Sequence, residues 1–412
     1  MSFQQGLSGL NAAAKNLDII GNNVANSGTV GFKQSQAQFA DVYANSLTGA
    51  GGAGVGIGTK VAQIAQQFTQ GNITATNNPL DIAINGGGFF RMDNNGEVAY
   101  QRNGQFQLDR MGFIVNPTGA RLTGYTADAS GVLSTGAPSP LSINTADLVP
   151  QITTEVNAVL NLDSGSTPID SSVVAFNMND PTTFHSSTAI SVYDSLGNTQ
   201  TLQTYYVKQP SGAWEMYASN DGAQIVGGGA NGQITNLAFN SSGALTTGMP
   251  LPAINVPATA TGATSPFPVT FDFTGTTQFG SAFSVNTLNQ DGYTSGRLAG
   301  FNIGADGTLL GRYTNGQSAV LGQVVLANFA NPNGLQQMGN NMWAETSASG
   351  TPLVGTPDSG SLGVLQSSAV EDSNVDLTAE LVNMITAQRV YQANAQTIKA
   401  QDAVLQTLVN LR

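Results

Sequence analysis

The stretch from Ser373 to Arg412 constrains this chain most. Leu377, Leu381, Met384, Gln388, Tyr391, Ala395, Ile398, Asp402, Leu405 and Val409 recur there at alternating spacings of four and three. That is the period of a helix packing along another helix. Ser373 with Asp376 reads as a capping box. Glu380 lies early and Lys399 and Arg412 late, as the helix dipole favours. At about 1.5 Å per residue the pattern predicts a rod on the order of 60 Å long. Polar Asn383, Gln388, Arg389, Gln392 and Lys399 interrupt it, which argues against a membrane span.

The first residues supply a matching seam. Phe3, Leu7, Leu10, Ala14, Leu17, Gly21 and Val24 follow the same alternation, with Ser2 and Gln5 as a capping box in front. Two such ends can pair with each other or with copies of themselves. Gly6, Gly9 and Gly21 each cost roughly 1 kcal/mol of helix propensity relative to Ala. Gln388 and Asp402 sit on the seam, where a buried polar group needs a partner. Arms of this kind are marginal alone and suited to ordering when a neighbour arrives.

All 16 Pro lie between Pro79 and Pro357. The chain therefore reads as two helical arms around a central body. From Leu80 the period becomes two: Leu80, Ile82 and Ile84 alternate with Asp81, Ala83 and Asn85, which predicts a half-buried strand. Asp93-Asn94-Asn95-Gly96 is a turn. Ile190–Tyr193, Asp194–Asn198 and Thr199–Val207 read as one hairpin. Short strands between Gly, Asn and Asp turns predict sandwiches or barrels. No strong amphipathic helix appears between Leu80 and Val364. Gly49 to Lys60 lacks P-loop spacing, because Thr59 separates Gly58 from Lys60, and it reads as a flexible linker.

Composition narrows function. A net charge of −12 argues against nucleic acid and anionic membranes. With no Cys there are no disulfides, thiolate metal sites or cysteine catalysis. His185 is the single His, so a two-His metal site is excluded. The acids sit mostly in turns (Asp93, Asp109, Asp128, Asp194, Asp291, Asp306), where hydrogen bonds to their own backbone account for them. No cofactor is expected and no enzyme. Met1 to Lys15 shows no cleavable signal peptide.

Particular blocks resemble the flagellar rod, hook and hook-associated family of bacterial axial proteins. At the start these are Leu17-Asp18-Ile19-Ile20-Gly21-Asn22-Asn23-Val24-Ala25-Asn26 and Thr29-Val30-Gly31-Phe32-Lys33. In the body they are Leu80-Asp81-Ile82-Ala83-Ile84, Gly88-Phe89-Phe90, Arg102-Asn103-Gly104-Gln105-Phe106, Leu326-Ala327-Asn328-Phe329 and Asn341-Met342-Trp343. At the end they are Glu380-Leu381-Val382-Asn383-Met384-Ile385, Gln388-Arg389, Tyr391-Gln392 and Asn394. The large middle insertion and the closing Thr407 to Arg412 are similar to hook-type members rather than to the shorter distal-rod type.

The resemblance implies a mainly β chain with α-helical termini. Residues 1–30 and 366–412 would form a coiled-coil layer. Residues 31–71 and 358–365 would be linkers, 72–145 and 290–357 an inner β domain, and 146–289 an outer one. It implies a structural subunit that polymerises into a curved tube carrying motor torque from rod to filament. The interface residues would be Phe3, Leu7, Leu10, Leu17, Val24, Leu377, Leu381, Met384, Tyr391, Ile398, Leu405 and Val409. Implied partners are copies of itself, the distal rod protein, the hook cap protein, the hook–filament junction protein and the flagellar type III export apparatus. The implied location is extracellular. From the residues alone, a secreted β-rich adhesin or carbohydrate-binding module with oligomerising tails remains open.

Overall fold

The computed structural model describes residues 2–42, 56–128, 131–229, 232–259 and 262–410. Strands fill the chain between two helices, α1 (Ser2–Ala25) and α2 (Leu377–Asn410). No α-helix lies between Leu80 and Val364 among the described residues.

The helix starts differ from expectation. Asp376 caps α2, its Oδ1 accepting from the N–H of Thr378 and Ala379 at 2.9 and 3.1 Å. Ser373 Oγ instead accepts from Val375 N at 3.3 Å. Gln5 sends Nε2 to Gly56 O rather than back to the start of α1.

After α1 comes a hairpin of β1 (Ser35–Val42) and β2 (Gly58–Gln66), paired from Ser35–Gln66 to Val42–Gly58. Most of the expected Gly49–Gly58 linker falls outside the described residues. Its last part is not linker, since Gly58 to Lys60 open β2.

The chain divides into two compact units. Unit 1 comprises residues 1–145, 300–312 and 318–412; unit 2 comprises 146–299 and 313–317. In unit 1, strands near the two helices pair across the length of the chain. β3 (Ile73–Ala75) pairs with Ala369–Glu371, and β4 (Ile82–Asn85) with Val364–Ser367. Sequence alternation predicted a half-buried β4, yet Ile82, Ala83 and Ile84 are all fully buried. Ala83 is small enough to lie inside on the face where a polar residue was expected. The main sheet runs Ser318–Val324, Arg121–Thr126, β5 (Phe89–Asn94), β6 (Glu97–Gln101), Met342–Ala344, Gln336–Gly339. Asn95 and Gly96 turn β5 into β6 with φ of 55° and 95°, the left-handed pair that a two-residue hairpin loop requires. Phe68, Phe89, Phe329 and Trp343 pack edge to face over this sheet at centroid distances of 5.4 to 5.9 Å.

Unit 2 is a β-sandwich. One sheet is built on Glu155–Asp163, flanked by Phe267–Asp272, Thr277–Phe279 and Ser284–Gln290. The other is Ser186–Tyr193, Thr199–Lys208, Trp214–Asn220 and Ala223–Ile225. Val156, Leu160, Leu162, Leu202, Tyr206, Trp214, Phe267 and Phe271 close the core between them. The hairpin expected at 190–207 is present, with Tyr193 opposite Thr199.

Candidate assembly interface

α1 and α2 pack antiparallel. Asn23 lies against Glu380, Gly9 against Asn394 and Gly6 against Ile398. The glycines decide the geometry. A Cβ on Gly9 would stand 2.8 Å from Asn394 Oδ1, and one on Gly6 would stand 3.2 Å from Ile398 Cγ1. The two glycines thus make room for the Asn394 and Ile398 side chains on α1. The stripe of α1 that is buried holds Gly6, Ala13, Ile20 and Asn23, and on α2 it holds Glu380 and Ala387.

This is one residue away from much of the expected seam. Met384 and Ile398 are half-buried along the packed side of α2, and Leu10, Leu17 and Val24 are half-buried on α1. Phe3, Leu7, Leu377, Leu381, Tyr391 and Leu405 are exposed. Val409 is helical, and its side chain falls outside the described residues. Sequence reasoning placed the largest apolar residues at the helix contact. The contact takes Gly6, Ala13, Ile20 and Ala387, keeps Met384 and Ile398 half-buried, and leaves Phe3, Leu7, Leu377, Leu381, Tyr391 and Leu405 exposed.

Polar groups that sequence reasoning missed tie the helices to the body. Lys33 Nζ donates to Glu371 Oε1 at 2.7 Å and to Thr69 O at 2.8 Å. Arg102 donates to Glu371 Oε2 at 3.3 Å and to Gly86 O at 2.7 Å. Gly71 N–H also reaches Glu371 Oε1. Burial pushes the Lys33 and Arg102 pKa values below their ordinary ranges, with Glu371 opposing that shift in both. The Arg102 guanidinium also lies 5.6 Å from the Phe89 ring centroid. One carboxylate thus holds the exit from α1, the return from the β1–β2 hairpin and the approach to α2. A second knot lies beside it. Asn23 bonds both N–H and O of Ser35, and Gln34 Nε2 donates to Glu380 Oε1 at 2.7 Å. Nothing local in the sequence pairs these three charged residues.

Between α2 and β1, over α1, runs a trough of about 850 Å³. Gly9, Ala12, Ala13 and Asn16 line its floor, with Ala387 and Asn394 on the α2 side.

His185 has a structural place. Its Nε2 bonds Thr167 O at 2.7 Å, and Nδ1 accepts from Lys208 N at 3.1 Å.

Comparison with known proteins follows this anatomy. Residues 3–33 match the flagella basal body rod protein model, and 83–159 the flagellar hook protein FlgE/F/G D1 domain. Residues 161–293 match the flagellar basal body protein FlaE D2 domain, and 366–411 the flagellar basal body rod FlgEFG protein C-terminal model. Over 417 aligned residues the chain is 45% identical to the flagellar hook protein FlgE of Salmonella typhimurium, with both chains covered in full. The chain belongs to the flagellar hook protein family. Hook proteins of Escherichia coli and Borreliella burgdorferi are 44% and 31% identical, each alignment covering 100% of this chain and 100% and 99% of theirs. A crystal structure of Helicobacter pylori flagellar hook protein FlgE2 shares the fold, with a TM-score of 0.52 at 14% identity over 71% of this chain and 99% of that one. Full-length likeness to hook proteins favours a hook subunit over a distal rod subunit and over a secreted binding module.

Proposed function

We propose that this hook subunit polymerises into the curved tube between rod and filament through its two helices, and that it carries load rather than catalysing a reaction. The uncovered surface of α2 supports this reading best. Leu377, Leu381, Ile385, Val382, Val390 and Leu405 are all exposed, and they lie on several sides of the helix rather than on one. Exposed large apolar side chains on several sides of one helix call for cover by other protein. α1 covers one stripe only, so further helices must cover the rest. In that tube residues 1–30 and 366–412 would form the coiled-coil layer, 72–145 and 290–357 an inner β domain, and 146–289 an outer one. The ends of the tube meet the distal rod, cap and junction proteins. The subunit travels outward by the flagellar export apparatus to its extracellular site.

Electron microscopy of purified chain tests this. Wild type should grow tubes, and Leu381→Asp should not. Circular dichroism should be the same for both monomers, because Leu381 is 44% exposed. Equal growth of the two chains would remove Leu381 from the interface.

A further inference from the structure

α2 outruns the helix that covers it, 34 residues against 24. The side of α2 turned to α1 runs through Glu380, Met384, Ala387, Asn394, Ile398 and Gln401, at spacings of four, three, seven, four and three. The antiparallel register, continued to the start of α1, brings Ser2 opposite Gln401. The next step along the same side is Leu405. It is 53% exposed, and Val404 beside it is exposed as well. The docking face for an α1-like surface therefore continues for about two more turns, with no α1 beneath it.

The trough opens onto α1 beside the stripe already used by α2. Ala12 and half-buried Asn16 line its floor next to Gly9 and Ala13, which α2 already contacts. Small floor residues let another helix approach closely and leave room for a Leu knob. The bounding part of α2, Glu380 to Asn394, is roughly 20 Å long, more than two helical turns need. The trough and Leu405 lie toward opposite ends of the helix pair, so one molecule cannot satisfy its own. Two different patches meeting between copies make a heterologous contact, which propagates instead of closing.

We propose that the last two turns of α2 in one copy lie in the trough over α1 of the next copy, with Leu405 as the knob. This rests on the polymer reading above and names the surfaces that would make it.

The absence of Cys makes cross-linking clean. Chains carrying Leu405→Cys and Asn16→Cys are mixed, allowed to assemble and oxidised. A disulfide forms only where Cα atoms come within about 7 Å. The expected product is a covalent dimer of the two different chains in assembled material and none in dilute monomer. Tubes without that bond overturn the docking and leave the polymer reading intact. A wild-type chain that forms no tubes overturns both. Leu405→Asp gives a second readout, expected to slow growth by about tenfold or more. Growth at the wild-type rate by that variant also overturns the docking.

Discussion

Lys33 Nζ stands 2.7 Å from Glu371 Oε1 across 338 residues of chain, and neither side chain has exposed surface. With Arg102 the cluster holds two cations on one carboxylate. Removing that carboxylate strands both cations in the interior, a change that costs about 3–5 kcal/mol in buried pairs. Glu371→Gln should therefore lower the melting temperature of unit 1 by on the order of 10 °C. Calorimetry should find the unit 2 transition unmoved. A shift of less than a degree would mean that the backbone pairing holds the junction without the charge.

Gly104 tests the body of unit 1. A Cβ there would fall 1.7 Å from Ile82 O, and a strand carbonyl cannot rotate away as a side chain does. Gly104→Ala should cost about 3 kcal/mol or more in urea unfolding. Gly28→Ala is the control, because nothing lies within 4 Å of the added carbon.

Gly9 tests the helix contact. Ala at this position gains about 1 kcal/mol of helix propensity and must displace only the flexible Asn394 amide. Gly9→Ala should leave monomer stability nearly unchanged. Gly9→Leu should separate α1 from α2 and reduce the helical dichroism signal while the β-sheet transition persists.

Asp194 gives unit 2 an acid limit. Burial alone would raise its pKa. The N–H groups of Leu196 and Asn198 and the side-chain amides of Asn198 and Gln200 together outweigh that and hold it below the usual carboxylate range. A depressed pKa means the stabilisation is fully present above the unfolded value of about 3.9 and is lost as pH falls through the folded value. Unit 2 should lose stability below about pH 4. Asp194→Asn should cost about 1–3 kcal/mol at pH 7 and flatten the acid slope. An unchanged slope would assign the acid sensitivity to Asp291, which is held down by Thr154 and Glu155 against its own burial.

Local patterns in the sequence were a good guide wherever a single element sets its own conformation. Asn95-Gly96 signals a turn because few other residues tolerate positive φ at both places. The helix–body–helix order follows from where Pro stops. Long-range choices were not legible. A heptad marks which residues lie on one face, but Phe3 and Leu7 are exposed while Gly6 and Gly9 receive the Ile398 and Asn394 side chains. Lys33, Arg102 and Glu371 lie far apart in sequence, and no local rule joins them. Asp376 rather than Ser373 caps α2, because the helix starts at Leu377, three residues later than a Ser373 cap implies.

The pairing of Lys33 with Glu371 also sets an order of events during synthesis. Unit 2 is complete once residue 317 has been made, and its sandwich can close at that point. Unit 1 cannot, because its partner strands and its single bridging carboxylate arrive only with residues 364–371. Closing so long a loop is slow. The first third of the chain should thus stay pliable until nearly the whole subunit exists. Pulse-labelled hydrogen exchange during refolding should protect the strands around Trp214 before those around Ile82. Simultaneous protection would show that the two units fold as one.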